Sequence, residues 1–165
     1  MREGQLDPSE QANNIEGSPE GAAEQKESER IIKTAGVLVF KDNKVLLVCH
    51  GKKAGHIDGT YGIPAGRLED GELSIETAVR ELLEESGLET TVEDLEKIPG
   101  TYTASIKRKG GTRNFSLETF RCKNWSGELC ASDETVPEWV DIDSLDKLDL
   151  LPNVKRMISD AMTLK

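Results

Sequence analysis

The chain predicts one α/β domain in which a mixed sheet is covered by helices on its faces. Three observations carry this: short aliphatic and β-branched runs, two segments with helical spacing, and turn residues that separate them. With 165 residues and 36% hydrophobic side chains, there is enough apolar material for one core and too little for two.

Residues 1–30 are rich in Glu, Gln, Ser, Gly and Ala and show no apolar period, so they read as a disordered acidic tail, leaving residues 31–165 as the domain. From Thr34 the pattern changes. AGVLVF (35–40) and KVLLVC (44–49) predict two strands joined by a tight turn at Lys41, Asp42 and Asn43. Glycine-rich loop sequence from Gly51 to Gly71 follows. Residues 74–86 then place Ile75, Ala78, Val79, Leu82 and Leu83 at helical spacing, with Gly87 as the stop. Residues 97–107 and 112–122 predict a hairpin around Gly110 and Gly111, and residues 139–142 a last short strand. A closing helix begins near Pro152 with Val154, Met157, Ile158 and Met162 on one face.

The net charge of −10 argues against a nucleic-acid backbone as partner, because such binding needs clustered Lys and Arg. No apolar stretch approaches the roughly 20 residues that span a bilayer, and the N-terminus lacks the order of a signal peptide. A cytoplasmic protein is expected. Cys49, Cys122 and Cys130 have neither a disulfide nor a zinc pattern and are expected to be buried free thiols. His50 and His56 alone are too few for a zinc centre.

The central helix carries an anomaly. Glu81, Glu84 and Glu85 crowd one face, and like charges so placed destabilise a helix by roughly 0.2–0.5 kcal/mol per pair. Arg80 can reach Glu76 or Glu84 but cannot neutralise the cluster. A hard divalent cation wants such oxygen ligands; a solvated acidic face is the bland alternative.

The wider pattern decides between them. From Gly66 to Leu88 the chain resembles the Nudix box, Gx5Ex7REUxEExGU, with Gly66, Glu72, Arg80, Glu81, Leu82, Glu84, Glu85, Gly87 and Leu88 at every fixed position. At average residue usage this has a chance on the order of one in a billion at a given start. The resemblance implies the Nudix fold, a mixed sheet sandwiched between helices. It also implies hydrolysis of a phosphoanhydride bond in a nucleoside diphosphate derivative. Mg²⁺, or Mn²⁺ in its place, would be held by Glu81, Glu84, Glu85 and the main-chain carbonyl of Ala65, with Gly66, Glu72, Arg80 and Gly87 shaping the loop and helix. Either Glu81 or Glu134 would take the proton from water.

RNFSLETFRCKNWSGE, together with Asn153 after Pro152, resembles the MutT-like branch, which converts nucleoside triphosphates, oxidised purines included, to monophosphates. That resemblance implies substrate contacts at His50, Ile63, Arg113 and Asn153. Asp133 and Glu134 fall where a loop carboxylate is expected. The chain departs from that branch at Cys49 and His50, where arginines are common, and Pro64-Ala65-Gly66 is instead similar to ADP-ribose pyrophosphatases. ADP-ribose or a nucleotide sugar is therefore the alternative substrate, and a non-catalytic nucleotide-binding module the remote one. A small nucleotide is the expected partner, with neither nucleic acid nor membrane, for a monomer or homodimer.

Overall fold

The computed structural model describes residues 30–164. The tail expected over residues 1–30 lies outside the described residues apart from Arg30.

The two apolar runs near the start are nearly continuous rather than alternating because both of their faces are covered. β1 (Ile31–Leu38) sends Ala35 and Val37 into one core cluster, as does Val39 just after it, while Leu38 enters the other. β3 (Lys44–His50) does the same, with Leu46 on one side and Val45 and Leu47 on the other. Between them β2 (Phe40–Lys41) pairs with β3 around a two-residue turn, Asp42 lying at φ 54°. The expected hairpin is present, but its first strand is divided. β1 pairs with strands of one sheet, and Val39 and Phe40 pass the chain to a second.

The strands thus form two sheets where one mixed sheet was expected. The mixed sheet has the order β5 (Ala65–Arg67), β1, β8 (Gly111–Cys122), β6 (Leu95–Lys97), with β7 (Tyr102–Arg108) also on β8. β1 and β8 run parallel, Ile31 opposite Asn114 through Leu38 opposite Arg121. The second sheet is antiparallel: β3 pairs with β2, β4 (Tyr61–Gly62) and β9 (Thr135–Asp141). β9 starts earlier than expected because Pro137, which lacks a donor, is tolerated on an edge strand. The segment expected as one strand over 97–107 is two strands, β6 and β7, with Pro99 and Gly100 (φ 89°) between them.

α1 (Ser74–Ser86) packs Ala78 and Leu82 on one face of this framework, with Phe120 and Leu88. α2 (Val154–Met162) packs Val154, Met157, Ile158 and Ala161 on the other, with Leu47 and Tyr102. Met162, expected on that face, is exposed; Ala161 takes its place because it lies seven residues after Val154, two helical turns along the same stripe. Of the cysteines, Cys122 is buried, Cys49 half-buried and Cys130 exposed, in the loop that follows Gly127. No helix among the described residues is long and apolar enough to cross a membrane.

Candidate active site

The site is assembled from the β5 loop and α1. Glu76, rather than pairing with Arg80, turns back to accept the Leu73 N–H at 2.9 Å, which satisfies one open donor at the start of α1. Gly87 ends the helix in the left-handed region (φ 84°), its N–H reaching the Leu83 carbonyl at 2.9 Å. Leu83 points to solvent, so the buried stripe is Thr77, Ala78, Leu82 and Ser86.

Arg80 locks the loop onto the helix. Its Nε and Nη2 donate to the two oxygens of Glu72, both at 2.8 Å, and Nη2 also reaches the Arg67 carbonyl at 3.0 Å. Glu72 accepts further bonds from Thr77 Oγ1 and the Glu69 N–H. So many donors hold its carboxyl down at about 2, Arg80 being the largest cause. Nη1 of Arg80 bonds Glu81 at 2.8 Å and Glu84 at 3.2 Å.

Glu81 and Glu85 face a cleft of about 230 Å³ between the mixed sheet and α2. Glu81 is pressed against Gly66 so closely that a Cβ there would overlap Glu81 Oε1. Gly66 is therefore needed for close approach and not for a positive φ. Glu85 accepts the Ala65 N–H at 2.7 Å. Burial, with the charges of Glu81, Glu134 and Glu84 behind it, nevertheless pushes Glu85 up to about 8. Glu81 is raised as well, by burial and then by Glu84, against the pull of Arg80.

The rest of the cleft comes from distant parts of the chain. His50 is buried and its Nδ1 bonds the Thr60 carbonyl at 2.8 Å. His56 meets it edge to face with ring centroids 4.6 Å apart, and burial, followed by the His50 and Arg108 charges, lowers His56 to about 3. Ile63, Ala65, Glu134 and Asn153 also line the cleft. Asn153 sits at φ 70° before α2 and donates through Nδ2 to the Thr103 carbonyl at 3.1 Å.

A family model for the NUDIX domain matches residues 31–161. The chain belongs to the NUDIX family. An oxidized purine nucleoside triphosphate hydrolase of Danio rerio is 40% identical over 109 residues, 66% of this chain and 65% of that protein. This chain therefore spans just under two thirds of that relative. An ADP-ribose pyrophosphatase of Methanocaldococcus jannaschii is 30% identical over 132 residues, 78% of this chain and 71% of that one. The solved structure of a MutT NUDIX hydrolase from Burkholderia pseudomallei superimposes with a TM-score of 0.67 over 79% of this chain and 98% of that one, at 17% identity, and shares the fold.

The NUDIX-box positions expected from sequence are thus drawn together, with Glu84 the exception, and of the expected substrate contacts Arg113 lies outside the cleft lining. Glu84 is exposed at the rim and turned to Arg80. Arg113 does not line the cleft; it shares a β8 face with Phe115, but its Nη1 donates to the Thr112 carbonyl and it borders an adjoining surface hollow. Arg108 stands in the cleft instead, 5.5 Å over the Phe115 ring. The alternation Tyr102, Ala104, Ile106, Arg108 along β7 is the signal that could have found it. Asp133 is exposed and lies 3.9 Å from Lys53, away from the acid wall.

Among the described residues no three acidic, histidine or cysteine side chains converge as they would around a metal ion. The chemistry of the donors still fits one. All are oxygens, as a hard divalent cation requires, and Glu81 and Glu85 share a wall in which burial and mutual repulsion oppose ionisation, a cost that a bound cation would lower.

Proposed function

We propose that this NUDIX protein hydrolyses a phosphoanhydride bond of a nucleoside triphosphate, oxidised purine forms included, to the monophosphate and pyrophosphate. The carrying observation is Glu85, buried in acidic company in the cleft wall on a loop and helix braced by Glu72 and Arg80. Glu81, Glu84, Glu85 and the Ala65 carbonyl would hold Mg²⁺, or Mn²⁺. Such a cation supplies Lewis-acid polarisation and a more acidic water.

The chain's own groups do the rest. Asn153 and the apolar floor of Ile63 and Phe115 would orient the nucleoside, and the Glu72–Arg80 brace keeps Glu81 and Glu85 in register with the loop. Water adds to phosphorus, the bridging P–O bond breaks with its electron pair leaving on the departing phosphate, and the water's proton passes to a carboxylate. Glu134 suits that acceptor role better than Glu81. Glu81 Oε1 is engaged by Arg80, whereas Glu134 is in no ion pair among the described residues.

Ala65 before Gly66 and the likeness to an archaeal ADP-ribose pyrophosphatase favour a second reading, ADP-ribose or a nucleotide sugar. A panel of nucleoside triphosphates, oxidised nucleotides, ADP-ribose and nucleotide sugars, assayed with Mg²⁺ and with Mn²⁺, separates the two. Turnover confined to the sugar-linked diphosphates would replace the first reading with the second.

A further inference from the structure

This chain holds 31 acidic residues against 21 basic ones, yet among the described residues Arg67, Arg108, Arg113 and Arg121 are in no ion pair, and of these Arg121 is taken up by main-chain carbonyls of Ala161 and Leu164. Three such arginines lie together. Arg67 ends β5 and borders both the cleft and the adjoining hollow; Arg108 ends β7 inside the cleft; Arg113 lies on β8, two residues beyond Gly111, which pairs with Arg108. Burial, followed by the positive charges of Arg67 and Arg113, lowers the Arg108 pKa against the opposing pull of Glu134, so the three arginines sense one another across the sheet. Among the described residues none of them is in an ion pair, whereas Arg80 lies within ion-pair distance of four carboxylates.

Arg108 shows the imbalance most clearly. Its guanidinium packs between the Phe115 ring and Gly55, and a Cβ on Gly55 would overlap it. Its Nε is buried and has no hydrogen-bond partner among the described residues. Buried donors of this kind cost free energy unless a ligand satisfies them, and a planar guanidinium matches phosphate oxygens. The direction of the cleft adds a second constraint. Asn153 bonds Thr103 at the start of β7, and Arg108 lies five residues further on, about 16 Å along an extended strand. One end of the cleft thus offers a neutral amide, the other a guanidinium that is in no ion pair among the described residues, with Glu134 in the same lining.

We propose that Arg67, Arg108 and Arg113 form an anion subsite that holds the outer phosphates of a nucleoside triphosphate. This rests on the nucleotide reading above and sharpens it: the arginines favour a triphosphate over ADP-ribose, which carries a sugar where the third phosphate would be. Arg113, on the hollow side, would meet the most solvent-exposed oxygens.

The test uses Arg113→Gln, a half-exposed position, and Arg108→Gln, with Arg67→Gln as a further variant should the buried change impair folding. At fixed free Mg²⁺, kcat/KM is measured for a purine nucleoside triphosphate, its diphosphate and ADP-ribose, together with competitive inhibition by inorganic tripolyphosphate. Each variant should lose about tenfold or more on the triphosphate, as for a lost charged hydrogen bond, and weaken tripolyphosphate inhibition by a similar factor. ADP-ribose turnover should change less than about twofold, being outside that contact. Equal losses on all three substrates, unchanged triphosphate kinetics, or a loss that follows the base rather than the number of phosphates would overturn the subsite. If the wild type turns over no nucleotide, the functional reading fails by itself, and calorimetric binding of tripolyphosphate to wild type and variants still decides the subsite.

Discussion

Glu72 and Glu85 are the same residue, thirteen positions apart on one loop and helix, yet they are held in opposite states. Glu72 accepts four hydrogen bonds, two from Arg80 and one each from Thr77 Oγ1 and the Glu69 N–H, and its carboxyl lies at about 2. Glu85 has one donor, the Ala65 N–H, and sits among acids at about 8. Where a carboxylate serves the architecture, the fold supplies its counter-charge. Glu85, facing the cleft, is in no ion pair among the described residues, and the fold carries the desolvation cost. Arg108 in the same cleft repeats the second pattern with the sign reversed, being lowered by burial and in no ion pair among the described residues.

The largest effect is expected of Glu85→Gln. It keeps the volume and removes an ionisable oxygen ligand, so we expect activity to fall at least about 100-fold while the metal-free thermal midpoint holds or rises. A lower midpoint with retained turnover would make Glu85 a structural residue like Glu72. Next in size is Gly66→Ala, whose methyl would displace Glu81. About 100-fold in kcat is expected from such a misplacement, with the fold retained by circular dichroism.

Asn153→Ala examines the neutral end of the cleft. A lost hydrogen bond to the base should weaken nucleotide binding by roughly 1–3 kcal/mol. Because φ at this position is 70°, Asn153→Gly is the control that removes the amide without backbone strain. Binding recovered in the glycine variant would assign the loss to strain rather than to recognition.

The smallest expected effect is on stability. Glu72→Gln should cost on the order of 1–2 kcal/mol in urea denaturation at pH 7, after allowance for solvent screening. Because the folded pKa of Glu72 is depressed, its contribution is present above the ordinary carboxylate value near 4.5 and is lost as pH falls toward 2. The gap between wild type and variant should therefore close over that window, and a gap that stayed constant to pH 2 would place the stabilisation elsewhere.

The linear chain already determined the elements whose causes are local. The stripe of Ala78 and Leu82 made α1 legible, Gly87 its end, and the two both-face-buried runs the first strands. The box spacing named Glu72, Arg80, Glu81 and Glu85 because residues on one helix and its loop keep their relation at short range. Only the tertiary structure decided what depends on pairing between remote segments. That includes the division of the strands into two sheets, and the replacement of Arg113 by Arg108 in the cleft. It also includes the meeting of His50 with His56 and the turn of Glu84 to the rim. Strand register and the packing of a loop against a distant hairpin select which of several nearby cations enters a cavity, and no local spacing encodes that choice.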